Sequence, residues 1–145
     1  MLRRLLIFLL ALAMASLALI WLLLQGSLPA YEGKQPLTGL LSTVAAERDV
    51  LGSVTLRADN RSDLARSLGF IHAQERFFEM DLLRRQAAGE LAELFGAAAL
   101  PADRRNRAHR MRARVHAMLA ELPDDQRDLL AAYRDGVNQG LDSLQ

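Results

Sequence analysis

Leu5 to Leu24 is a run of 20 residues broken only by Ser16 and preceded by Arg3 and Arg4. A helix rises about 1.5 Å per residue, so the run spans roughly 30 Å, which matches the hydrocarbon core of a bilayer. Only a large soluble protein hides a helix that is apolar on every side. The run therefore reads as a membrane helix. Secretory signals have shorter apolar regions, about 7 to 15 residues, followed by a small-x-small cleavage site. Leu28-Pro29-Ala30 is a poor version of that site, which favours an uncleaved anchor over a cleaved signal. Basic flanks stay on the cytoplasmic side, so either alternative exports the rest of the chain, in a bacterium to the periplasm. The lipid bilayer is thus one expected partner, through Leu5 to Leu24.

Beyond residue 24 the chain keeps 16 basic and 17 acidic side chains. Nucleic-acid-binding domains carry a concentrated positive excess, which this remainder lacks outside one helix, so no nucleic-acid partner is expected. The chain has no cysteine, which removes disulfide scaffolds, thiolate zinc sites and cysteine nucleophiles together.

Three regions are expected: the transmembrane anchor or signal helix, 1–24; a linker, 25–42; and a folded segment, 43–145. The linker holds Pro29, Pro36, Gly26, Gly33 and Gly39 without periodicity, a pattern of extended chain. Thr43–Arg48 and Val50–Arg57 have short β-prone runs separated around Asp49 and by Gly52, which predicts two short strands or a hairpin. From Ser62 the period becomes helical, with Leu64, Leu68, Ile71, Phe78 and Leu82 at three- and four-residue steps. Asn60 or Ser62 can cap this helix and Gly89 can stop it. Gly69 inside it costs about 1 kcal/mol relative to alanine, which implies close packing against a neighbour. Asp81 and Arg85 form an i, i+4 pair in the favourable order.

A short helical turn is expected over Glu90–Phe95, ending at Gly96. Pro101 then opens a third helix, with Ala108, Met111, Val115, Met118 and Leu122 on one face, and Pro123 ends it. The last helix sets Leu130, Tyr133, Val137, Leu141 and Leu144 along one side, beside a stripe of Ala132, Gly136 and Gly140 that lets another backbone approach. The expected fold class is mainly α: a membrane helix, a short β hairpin and three to four further helices. That is too little sheet for a self-contained α/β domain.

The residues show no active site. The strained G-x-S-x-G elbow of α/β hydrolases is absent. His72, Glu75 and Glu79 share a helix and suggest a metal site, but helical metal sites draw ligands from several helices and no second E-x-x-H set exists, so hydrogen bonding is the expected role. Arg104, Arg105, Arg107, Arg110, Arg112 and Arg114 crowd one helix. Such a helix suits anionic lipid, nucleic acid or ion pairs with a partner surface. His109 and His116 lie two turns apart on it and read as structural. A free N-terminal serine can act as nucleophile with its own amino group as base; Gly26-Ser27 is the one place for such a cut, at the membrane edge. No catalytic, cofactor-binding or metal-binding residue is therefore assigned.

Glu47-Arg48-Asp49 with Gly52, Ala58-Asp59-Asn60, Asp63-Leu64-Ala65 and above all Gly69-Phe70-Ile71-His72-Ala73-Gln74-Glu75-Arg76-Phe77-Phe78-Glu79-Met80-Asp81-Leu82-Leu83-Arg84-Arg85 resemble the penicillin acylase (penicillin amidase) family. Ala88-Gly89-Glu90-Leu91-Ala92-Glu93-Leu94-Phe95-Gly96 and Ala132-Tyr133-Arg134-Asp135-Gly136-Val137-Asn138 extend the resemblance over about residues 44 to 144. One departure is Gly52-Ser53-Val54, where the family usually has Gly-Val-Pro.

The resemblance implies the amino-terminal part of the α chain of an N-terminal nucleophile hydrolase, a precursor that cuts itself into two chains. The implied whole fold is α+β, an αββα sandwich completed by the β chain. The family's catalytic serine opens that β chain, and its calcium ligands and acyl-pocket residues lie beyond Leu144. A calcium cofactor is implied by resemblance only, with ligands outside this chain. The implied partners are the β chain of the same precursor, which would cover the apolar faces of 64–82 and 111–144, and a small acylated amide substrate. The expected activity is hydrolysis of linear amide bonds, as in penicillins or acyl-homoserine lactones, by the complete enzyme and not by this segment alone. The alternative is a membrane-anchored helical interaction protein without catalysis.

Overall fold

The computed structural model describes residues 2–26 and 31–144. Helix α1, Leu2–Gly26, contains the apolar run. Its stretch Arg3–Gln25 is long and apolar enough to cross a membrane, and none of it is buried by the rest of the chain. Ser16, its one interior hydroxyl, donates to the Leu12 carbonyl at 2.9 Å, so the helix satisfies its own polar atoms as an apolar surrounding demands.

Strands β1, Ala45–Arg48, and β2, Val54–Arg57, form an antiparallel hairpin in which Ala45 pairs with Arg57 and Arg48 with Val54. Asp49 makes the turn. Its carboxylate accepts from the Leu51 and Ser53 amides at 2.9 and 2.8 Å, and Gly52 takes φ 84°. An aspartate that bonds its own backbone ahead is a turn-maker, so the turn closes without a proline.

Helix α2, Arg61–Ala88, begins at Asn60, whose side-chain oxygen accepts from the Asp63 amide at 2.8 Å, and ends at Gly89 in the left-handed region. It bends at Arg76, which has φ −150° and ψ 30°. The short α3, Ala92–Phe95, runs into a 3-10 turn over Gly96–Ala99.

The expected single helix from Pro101 to Leu122 is two helices, α4, Leu100–Arg107, and α5, Met111–Glu121. The chain breaks at Arg110, which stands at φ 50°. The break lets two arginines on either side of it reach back to one place. Arg107 Nε donates to the Gly89 carbonyl at 2.8 Å, and Arg112 donates to the Glu90 carboxylate at 2.6 and 2.5 Å. Ala108 consequently does not share a helical face with Met111. Helix α6, Asp124–Asp142, follows Pro123.

The centre of the fold is the contact between α2 and α6. The two helices advance in the same direction, since Arg66 meets Gly136, Phe70 meets Gly140 and Gln74 meets Ser143. A Cβ on Gly136 would lie 1.9 Å from the Arg66 carbonyl oxygen, and one on Gly69 would lie 2.1 Å from that of Tyr133. The glycines thus bring backbone onto backbone. Phe70, Ala73 and Ala132 are the buried apolar residues of this seam. The small stripe of α6 thus takes the backbone approach expected of it, and the approaching backbone is that of α2. Leu64, Leu68, Phe78 and Leu130 remain exposed.

Candidate functional site

The polar residues of the 69–85 block and its flanks fall into three clusters around α2. The first is built on Asp63, whose side chain is 0% exposed. Its Oδ1 accepts from the Leu41 amide and its Oδ2 from the Ser42 amide, both at 2.9 Å, and Asn60 Nδ2 donates to Oδ2 at 2.7 Å. Bonds from the Leu41 amide, then Asn60 and Ser42, outweigh the cost of burial and hold its pKa below the usual aspartate range. Hydrogen bonds made to the charged form have that effect. Thr38 is fastened as well, its amide and hydroxyl each donating to Gln139 Oε1 at 2.8 Å. The end of the expected linker, 38–42, is thereby fixed across α2 and α6.

This strap, the hairpin and α2 border a cleft of about 630 Å³, partly open to solvent and lined by Leu41, Val54, Leu56, Ser67, Phe70 and Gln74, among others. Arg48 closes one side. Its guanidinium lies 4.5 Å from the centre of the Tyr31 ring and pairs with Glu75 on α2.

The second cluster contains His72. Its Nδ1 lies 2.9 Å from the Tyr133 hydroxyl on α6, and its Nε2 lies 2.6 Å from Arg76 Nη2. A guanidinium only donates, so Nε2 must accept. The neutral ring then carries its proton on Nδ1 and donates to the tyrosine oxygen. The imidazole is not placed to take a proton from Tyr133, so the pair is not a nucleophile with its base. His72, Glu75 and Glu79 do not converge on one point: Glu75 turns to Arg48, His72 to Tyr133 and Arg76, and Glu79 is exposed.

The third cluster surrounds Asp81, which accepts from Arg85 Nε and Arg84 Nη2, both at 2.6 Å. Hydrogen bonds from Arg85 and then Arg84 hold its pKa below the usual range. Arg85 also reaches Glu93 at 2.5 Å. With Arg84 also 3.9 Å from Glu90, which holds Arg112, this network joins the end of α2 to α3 and α5. Beneath it Asp103, 1% exposed, accepts from the Leu91 and Ala92 amides at 2.9 and 2.8 Å.

Asp63 and Asp103 are the structural residues that sequence reasoning missed. Their one signal was an acidic residue in the first turn of a helix, which ordinarily faces its own helix end. Both instead clamp consecutive amides of a preceding segment. His109, His116, Arg104, Arg105, Arg110 and Arg114 are exposed around α4 and α5. Ser27 and Leu28-Pro29-Ala30, the two places weighed for a cut, lie outside the described residues. A calcium ion takes about 6 to 8 oxygen ligands. The described residues do not fit it, because no three acidic or histidine side chains converge and the two buried carboxylates are committed to backbone amides.

Residues 43–145 match the protein family described as Penicillin amidase. The chain is 39% identical over 120 residues to the penicillin acylase 2 proenzyme of Pseudomonas sp. (strain SE83), covering 83% of this chain and 16% of that protein. It is 34% identical over 114 residues to the acyl-homoserine lactone acylase QuiP of Pseudomonas putida (strain KT2440), covering 79% of this chain and 14% of that protein. Among solved structures, a thermostable penicillin G acylase from Alcaligenes faecalis superimposes with a TM-score of 0.64 at 31% identity, covering 71% of this chain and 55% of that one. The chain thus spans about a sixth of the length of these curated relatives.

Proposed function

Because this chain belongs to the penicillin amidase family, we propose that it is the amino-terminal part of an exported acylase precursor, held at the membrane by α1. In the complete enzyme, water would cleave the amide C–N bond of an acylated substrate such as a penicillin or an acyl-homoserine lactone, giving a carboxylic acid and an amine. The nucleophile, its base and the oxyanion donors would come from the β chain, and any calcium ligands from outside these residues. The observation that carries this reading is the family match across 43–145, with relatives that are acylases. Exposed Phe78, Leu83, Leu94, Phe95, Met111, Val115 and Met118 support it as a surface for the remainder of such an enzyme.

The reading is tested by following the native coding frame past Gln145 and weighing the mature chains. An open frame with two processed chains is the expected result. An immediate stop codon and one small chain would overturn it in favour of an anchored interaction protein. Hydrolysis of an acyl-homoserine lactone by purified Met1–Gln145 alone would refute the claim that this segment needs a partner.

A further inference from the structure

Helix α2 carries neither proline nor glycine at its bend, two of the ordinary local causes, and Arg76 alone leaves helical geometry there. Arg76 reaches back one turn, and the atom it meets is His72 Nε2 at 2.6 Å. The other ring nitrogen meets Tyr133 of α6 at 2.9 Å, with the two rings edge to face at 5.8 Å. One imidazole therefore joins the bend of the long helix to the neighbouring helix.

We propose that His72 is a proton-operated latch on the bend of α2, holding Arg76 while the imidazole is neutral and releasing it when Nε2 takes up a proton. In the closed state Nε2 is the acceptor and Nδ1–H the donor, since the guanidinium has no lone pair to offer. A proton added to Nε2 replaces that acceptor by a second donor and sets two cations against each other. The bond from Nδ1–H to Tyr133 needs no change. Protonation consequently frees the bend while leaving the seam between α2 and α6 closed. The half of the helix beyond Arg76 can then realign against the half before it.

The charged groups around the ring act in opposite directions, and those that keep it neutral prevail. Arg76 and Glu75 belong to α2, Tyr133 to α6, and Arg48 on β1 pairs with Glu75. Partial burial, then Arg76, lowers the histidine pKa, and Glu75 opposes them. The latch is closed at neutral pH and opens below the ordinary histidine range.

Two measurements on the full chain in detergent micelles decide this. Two-bond nitrogen–proton NMR of the imidazoles, with His72 assigned from H72Q, should show the proton on Nδ1 at neutral pH. Nitroxide labels at exposed Arg61 and Gln86, either side of the bend, should change separation between about pH 7.5 and about pH 5, with a midpoint below the ordinary value of about 6.5. H72Q should abolish the change, and so should R76Q, which removes the group the latch holds. In R76Q the His72 titration followed by NMR should also move to higher pH, because the opposing cation is gone. A proton found on Nε2 at neutral pH, or a label distance indifferent to acid, overturns the latch. Should H72Q fail to fold, the wild-type tautomer and the R76Q titration still decide.

Discussion

Helices α5 and α6 are joined through Leu122 and Pro123, and both carry apolar residues at three- and four-residue steps. Every residue of α5 is exposed, whereas α6 forms the centre of the fold. Apolar size does not explain the difference, because α5 presents Met111, Val115, Met118 and Leu119 to solvent. Backbone access does. Gly136 and Gly140 remove the Cβ atoms that would hold α6 off, and Gly69 and Ala73 on α2 answer them. On α5 the corresponding small residues are alanines, 113, 117 and 120, and no glycine face stands opposite. Burial within this chain follows how closely two backbones can approach, and the larger apolar side chains of α5 stay exposed.

The strongest way to break that contrast is Gly136→Ala. The new methyl would meet the Arg66 carbonyl at 1.9 Å, and backbone cannot step aside as a side chain can. Overpacking of this kind should cost about 3 kcal/mol or more. Urea unfolding of the full chain in detergent should show the loss, and a midpoint unchanged from wild type would mean that α2 and α6 are not in backbone contact.

Next in size is Asp103→Ala. The Leu91 and Ala92 amides would lose their acceptor in a buried place, at about 1 to 3 kcal/mol. Hydrogen exchange should accelerate at those two amides first. Acid tests the companion clamp without a mutation. Asp63 binds its proton less readily folded than unfolded, chiefly through the Leu41 amide. Its contribution is therefore complete above the unfolded pKa of about 3.9 and is lost as pH falls through the lower folded value. Asp63→Asn should flatten the acid limb of stability there, and an unaltered limb would take Asp63 out of the account. Asn60→Ala, which removes the cap of α2, should cost about 1 kcal/mol, read as a lowered melting temperature.

The legible parts of the fold were those set by neighbours in sequence. Asn60, Gly89, the Asp81 with Arg85 pair and the turn at Asp49 and Gly52 each act within a few residues of themselves, so composition and spacing exposed them. Gly69 announced a close approach, though not its partner. The break at Arg110 was hidden because it is fixed by Arg107 and Arg112 reaching Gly89 and Glu90, 18 and 22 residues back. The strap held by Asp63 and the loop held by Asp103 were hidden for the same reason. At the candidate site, His72 and Glu75 stood out as chemistry-bearing types, but their partners Tyr133 and Arg48 come from other elements. Helical spacing alone grouped them with Glu79 instead.

The smallest expected effect sharpens the contrast most. Met118 is 64% exposed on α5, so Met118→Ser should alter the stability of this chain by no more than about 0.5 kcal/mol. Under the proposed acylase assembly, the same substitution would remove apolar area from the surface covering α5, where burial is worth about 25 cal/mol per Å². It should therefore leave the melting curve of Met1–Gln145 unchanged while weakening its recovery with the rest of the precursor on co-expression. Gly136→Ala should do the reverse in order, unfolding the chain before any assembly can be measured. A Met118→Ser variant that destabilised the isolated chain would show that α5 is packed within it after all.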